Sequence, residues 1–265
     1  MQTAFATPSG TSWRGWCAEQ SLSDAWAPPR APAAGPDRVL VFDAQPGLLC
    51  GLDAPTAQTL RRRVAAPRLW VDPGPWTPPA LDELPEQPLG LLVIEGLLLR
   101  TIELDGRRSP ELVGVGDLIQ PWQPADGSID HATSWTALDG TALAVLDARF
   151  AAVACRWPAI ATELVGRTVG RSRALAFQLA IAHVRHADLR LHMLLWHLAD
   201  RWGRVTPDGV HLPLRLTHDT LAQLACMRRP TASTAVQRLA RAGEVRRRAD
   251  GTWMLTGTPP SQEAR

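Results

Sequence analysis

Lysine is absent from this chain, so all 28 of its basic residues are arginine. Alanine, glycine and proline are abundant, and the pattern reflects codon usage before it reflects chemistry. Long apolar runs are missing too. Leu89 to Ile94 and Leu97 to Leu99 fall far short of the roughly 20 residues that cross a bilayer, so no membrane span is expected. No basic segment followed by an apolar one opens the chain, which argues against a secretory signal and for the cytoplasm. Cysteine is scarce. Cys17, Cys50, Cys155 and Cys226 lie far apart without a CxxC pair, which argues against a disulfide scaffold, a zinc knuckle or an iron–sulfur cluster. Histidine is thin where a cupin-like metalloenzyme would need a cluster of it, since His131 stands alone between residues 39 and 153. There is no Gly-rich phosphate loop and no nucleophile motif, so an enzyme is not expected. His183, His186, His192 and His197 are dense on two expected helices, but helix-surface histidines are seldom ligands, and no metal is assigned.

What is present is enough chain, 265 residues at 45% apolar content, for two folded domains. Net charge is only +2, but from Arg201 onward arginines outnumber acids, so the carboxy-terminal domain is locally basic. Residues 1–36 hold Pro28, Pro29, Pro32 and Pro36 and read as a flexible arm, in which Trp13, Trp16 and Trp26 are unusual. Residues 37–158 show short apolar runs broken by turn signals, the pattern of an antiparallel β domain. Asp105-Gly106 predicts one hairpin between Leu97–Glu103 and Pro110–Val113, and Asp139-Gly140 predicts a second between Thr136–Leu138 and Ala142–Leu146. Residues 159–186 place Ile160, Leu164, Thr168, Leu175, Leu179 and Ala182 at helical spacing. Gly166 and Gly170 would weaken such a helix by about 1 kcal/mol each, which points to close approach of a second helix and makes these six residues the expected dimer seam. The alternative is a helix packed on its own β domain.

The most informative segment lies in residues 187–257. A helix with Leu191, Leu194, Leu195 and Leu198 ends at Gly203, and Val205–Leu214 reads as a hairpin around Pro207-Asp208-Gly209. Thr217 then caps a short helix with Asp219 in its first turn. After a break at Cys226-Met227-Arg228, a second helix opens with Arg229-Pro230. Ala232, Val236 and Leu239 form its buried stripe, while Thr231, Ser233, Thr234, Gln237, Arg238 and Arg241 form a polar, basic face. Gly243 stops the helix, and Arg246, Arg247 and Arg248 lie on a two-stranded wing around Asp250-Gly251. Capped helix, turn, basic helix and basic wing together are the device by which an α-helix enters a major groove while arginines run along phosphates. Residues 258–265 read as a flexible tail.

These residues resemble the Crp/Fnr family of regulators. Leu216 to Leu255 is similar to the family's winged helix, Leu191 to Gly203 to the helix that opens it, and Gly114-Val115-Gly116-Asp117-Leu118-Ile119 to its cyclic-nucleotide-binding-like β roll. The fold implied is α+β: an antiparallel β roll, a long dimerisation helix and a winged helix-turn-helix. The resemblance implies base-facing roles for Arg229, Ser233 and Thr234 and backbone contacts for Thr217, His218 and Thr231; Arg228, Gln237, Arg238 and the wing arginines complete the expected DNA surface. Pro230 stands where many members place a base-reading glutamate, and Cys226 where the turn commonly has glycine, so the operator is not inherited. Members that bind cyclic AMP carry a Gly-Glu pair and an Arg-Ser or Arg-Thr pair; residues 119–133 have neither, which argues against a cyclic nucleotide effector. The partners expected are an approximately palindromic duplex DNA and a second copy of the chain, with RNA polymerase a further candidate. A winged helix that binds another protein is the alternative function.

Overall fold

The computed structural model describes residues 37–85, 88–122 and 129–260. The arm with its three tryptophans, the middle of the 119–133 stretch and the last five residues lie outside the described residues.

Two antiparallel sheets form the amino-terminal roll. The first runs β1 (Arg38–Leu40), β2 (Ala65–Val71), β9 (Thr141–Leu146), β4 (Gly90–Glu95) and β7 (Leu118–Ile119) in that spatial order. The second runs β3 (Gly74–Trp76), β8 (Ala132–Ala137), β5 (Leu97–Leu104) and β6 (Arg107–Gly114). Val71, Leu91, Val93, Leu98, Val113, Trp135, Leu143 and Val145 fill the space between them. β9 is buried at all six positions because both its faces are covered: Leu143 and Val145 face the other sheet, while Ala144 and Leu146 face helices. That double burial is why its sequence is a continuous apolar run rather than an alternation.

The Asp105-Gly106 hairpin forms as expected, with Leu104 opposite Arg107 and positive φ at both turn residues. The second expected hairpin does not form. β8 pairs with β3 and β5, and β9 pairs with β2 and β4, so the Asp139-Gly140 turn carries the chain from one sheet to the other. A turn flanked by apolar runs looks the same in sequence whether the strands pair or part company.

Three helices inside the roll were not expected: α1 (Val41–Ala44), α2 (Ala54–Arg63) and α3 (Ala148–Arg156). The signals of α2 and α3 were their caps, whereas α1 has no side-chain cap. Asp53 accepts a hydrogen bond from Thr56 N, and Asp147 accepts from Arg149 N and Phe150 N. Phe42, Leu60, Phe150 and Val153 pack beneath the first sheet.

α4 (Pro158–Ala182) follows α3 directly. Its expected seam needs correction. Ile160 and Leu164 are buried in the chain's own core with Phe42 and Phe150, so they are not available to a partner. The face left open carries Val165, Val169 and Leu179, with Thr168 exposed beside them and Leu175 and Ala182 partly covered. A 25-residue helix has room for both faces, and periodicity alone does not say which apolar stripe meets which neighbour.

The last domain comprises α5 (Ala187–Trp202), β10 (Arg204–Thr206), β11 (Gly209–Leu212), α6 (His218–Leu224), α7 (Arg229–Arg241), β12 (Val245–Arg247) and β13 (Trp253–Leu255). Its strands order as β10, β11, β13, β12. Gly203 ends α5 in extended rather than left-handed backbone; a Cβ there would lie 2.4 Å from Ala199 O, so glycine serves close packing. The core of this domain is continuous with Leu97, Leu99 and Leu112 on the outer face of the roll. The Gln178 amide donates to both Pro110 O and Leu224 O, at 3.3 Å each, and so links α4 to both domains.

Candidate nucleic-acid interface

α6 begins where the Thr217 side chain accepts from Thr220 N, as its sequence signature requires. Leu221, Leu224 and Ala225 turn inward against Leu191, Leu194, Leu195 and Leu198 of α5. The turn after α6 then passes through Cys226 with φ +49. A left-handed conformation at a residue with a Cβ costs about 1–2 kcal/mol, and the turn is braced from behind. Arg190 donates to Ala182 O, Ala225 O and Cys226 O at 3.1 to 3.3 Å, satisfying carbonyls that the helix end leaves open. Sequence reasoning missed Arg190, because nothing in its neighbourhood marks a residue whose partners lie 35 positions away.

α7 buries Ala232, Ala235, Val236 and Leu239. Pro230, Thr234, Gln237 and Arg241 are exposed on the opposite side, with Arg228, Arg229 and Thr231 exposed around its first turn. Among the described residues the side chains of Arg228, Arg229, Arg241 and Arg246 make no ion pair or hydrogen bond. Arg238 differs from expectation: its guanidinium meets Asp188 of α5 at 3.2 Å, on the flank of α7 toward that helix. The exposed Thr234 hydroxyl donates to Pro230 O at 3.0 Å. His218 and Ser233, expected to touch backbone and base respectively, hydrogen-bond each other at 3.0 Å and tie the start of α6 to α7. Burial, and then Arg247 and Arg229, hold the His218 imidazole below its usual range, so it is neutral at pH 7. In the wing, β12 pairs with β13, Arg247 lies 5.8 Å over the Trp253 ring, and Arg248 approaches Asp250 at 3.8 Å. Among the described residues no three His, Cys, Asp or Glu side chains are grouped to hold a metal, and no helix is long and apolar enough to cross a membrane.

A capped helix, a tight turn, a second helix with unpaired arginines and an arginine-bearing wing stand on one surface. Residues 189–256 match the family model of the Crp-like helix-turn-helix domain. Solved structures place the rest of the fold. A CooA variant from Carboxydothermus hydrogenoformans is similar at 18% identity, with a TM-score of 0.57 over 72% of this chain and 84% of that one. FixK2 from Bradyrhizobium japonicum is similar at 17% identity and a TM-score of 0.54, over 73% of this chain and 94% of its own. The c-di-GMP-responsive global regulator CLP of Xanthomonas campestris is similar at 18% identity and a TM-score of 0.51, over 73% and 95%. No curated protein sequence matches the chain. The fold is thus the one these solved structures share, roll, long helix and helix-turn-helix in that order.

Two covered histidines should make the stability of this domain depend on pH. His192 in α5 is buried, and its Nε2 accepts from the Trp196 indole N–H at 2.9 Å, which leaves its proton on Nδ1 facing Glu244 at 3.7 Å. Burial lowers its pKa, against a smaller opposing pull from Glu244; burial likewise lowers His197. Groups harder to protonate in the folded than in the unfolded chain give stability that is present above the unfolded pKa and is lost as pH falls. Melting temperature should therefore fall as pH drops below about 6.5, and His192→Gln should flatten that fall. A wild-type melting temperature independent of pH between 7 and 5 would contradict it.

Proposed function

We propose that the chain is a homodimeric transcription regulator of the Crp/Fnr type that reads a two-fold-symmetric duplex with one α7 helix in each half-site. The observation that carries this is the exposed α7 and wing surface, where Arg228, Arg229, Arg241 and Arg246 have no partner within a Crp-like helix-turn-helix domain. Unpaired guanidinium groups on an exposed helix face match the acceptor edges of guanine and the phosphates beside them. Arg229, Ser233, Thr234 and Gln237 supply base contacts; Thr217, His218, Thr231 and the wing arginines lie along the backbone. That role puts the chain in the cytoplasm, with the DNA. Selection of bound sites from random duplex DNA should return a two-fold-symmetric consensus, and Arg229→Ala should weaken it by about 10- to 100-fold, as loss of one good base contact does. No enrichment at low salt would favour a winged helix that binds protein.

The dimer forms through the open face of α4. Val165, Val169 and Leu179 are 62%, 44% and 63% exposed, and the position beside Gly166 is open space that a second helix can fill. Val169→Glu, at a site 44% exposed within the chain, should convert the dimer to monomer in sedimentation while largely preserving its circular dichroism. A variant that stays dimeric would place the seam elsewhere. The effector is not cyclic AMP, because residues 119–133 supply no cation for its phosphate; calorimetry with cyclic AMP should show no binding at micromolar concentration.

A further inference from the structure

A cleft of about 760 Å³ opens where the Gly114–Asp117 turn, α4 and α5 meet. Its size lies in the range of small-molecule sites, roughly 300–1,000 Å³. Among the described residues, its lining comes from the Gly114–Asp117 turn, Gln45, α4 and α5, and not from the described part of the 119–133 stretch.

Two features of the lining point to one kind of ligand. The first is apolar and flat. Val115 and Phe177 are 48% and 57% exposed within a concavity, and the Phe177 ring meets the His197 ring at 5.1 Å and 42°, which makes an aromatic step. The second is cationic. Arg173 lies at the cleft, exposed and without a hydrogen bond or ion pair among the described residues. Arg201 spends one nitrogen on Asp117 and keeps about a third of its side chain open. Arg167 and Arg171 are already engaged, the first by Glu163, Gln45 and Gly116 O, the second by Glu111 and Leu118 O. The free charge is therefore that of Arg173 with the open edge of Arg201. Of the two acids that line the cleft, Asp117 is already bonded to Gly114 N and Arg201, and Asp200 is exposed.

We propose that this cleft binds a small aromatic anion, its ring on Phe177 and His197 and its carboxylate or phosphate on Arg173 and Arg201. A planar guanidinium takes such a group through two parallel hydrogen bonds, and an aromatic step takes a ring face with little cost in entropy. The occupant would touch the roll turn, the long helix and the first helix of the Crp-like domain together. An influence on DNA affinity rests on the regulator reading above; the binding itself does not.

Phenyl phosphate, inorganic phosphate and phenol serve as probes for the full-length protein by calorimetry without DNA. Phenyl phosphate should bind at least about tenfold more tightly than either of the others, a difference of about 1.4 kcal/mol. Arg173→Gln, at an exposed side chain without a hydrogen bond or ion pair among the described residues, should lose about tenfold for phenyl phosphate with an unchanged melting temperature. Phe177→Ala should remove the preference over inorganic phosphate. The proposal is overturned by absence of binding at millimolar concentration, by equal affinity for both phosphates, or by indifference to Arg173→Gln. Because no DNA is present, failure here leaves the DNA-reading proposal standing, and the reverse holds.

Discussion

Trp253→Ala will lower the stability of the Crp-like domain by about 3–5 kcal/mol, the usual cost of truncating a fully buried tryptophan. Trp253 is 0% exposed and is the largest fully buried side chain in the molecule as described. It packs in a core with Leu191, Leu216, Leu221 and Leu239, beneath the His218 ring at 6.2 Å and the Arg247 guanidinium at 5.8 Å. Removing it takes the floor from under both an α6 contact and a wing arginine, so DNA affinity should fall with stability. Its indole N–H is buried without a hydrogen-bond partner. Trp253→Phe therefore removes an unsatisfied donor while keeping most of the apolar volume, and should cost far less than the alanine change. Denaturant unfolding of the two variants checks this; a loss below about 1 kcal/mol for alanine would show that the core tolerates the cavity, and equal losses for the two would show that the volume phenylalanine keeps adds nothing.

Asp117→Ala should cost about 2–3 kcal/mol, less than the 3–5 of a fully buried pair because Arg201 stays partly in water. The Asp117 carboxylate is almost wholly buried, accepts from Gly114 N at 2.8 Å and meets Arg201 of α5 at 2.7 Å. One oxygen atom thus closes the roll turn and fastens it to the Crp-like domain. Arg201 also lies 4.5 Å from the Trp202 ring, and Trp202 packs directly on Gly114. Alanine strands both the turn N–H and the cation. Asp117→Asn keeps an acceptor for Gly114 N but loses the charge, so it should fall between wild type and alanine. A double-mutant cycle with Arg201→Ala should show coupling of at least about 0.5 kcal/mol. Additive losses would mean that Asp117 serves only its own turn.

The winged helix-turn-helix was the most legible part of the chain because its signals are local. Thr217 caps the helix that its sequence predicts, Pro230 sits in the first turn of the next helix, and the wing strands flank Asp250-Gly251 as expected. Comparison with known domains covers the same residues, 189–256. Cys226 adopts the left-handed turn that glycine would have announced, with Arg190 bracing it from a distant helix. Arg238 belonged by spacing to the DNA-facing set, yet Asp188, fifty positions away, holds it to the flank.

The roll was legible in kind and less so in connection. Alternation, caps and turn dipeptides depend on neighbours within a few positions, and they determined that there would be strands, a long helix and a winged helix. Which sheet each strand joins at Asp139-Gly140, which stripe of α4 is spent on its own core through Ile160 and Leu164, and where Arg201 finds Asp117 were decided only in the tertiary structure. Burial is a property of two surfaces. A sequence states one of them at each position, and the fold supplies the other.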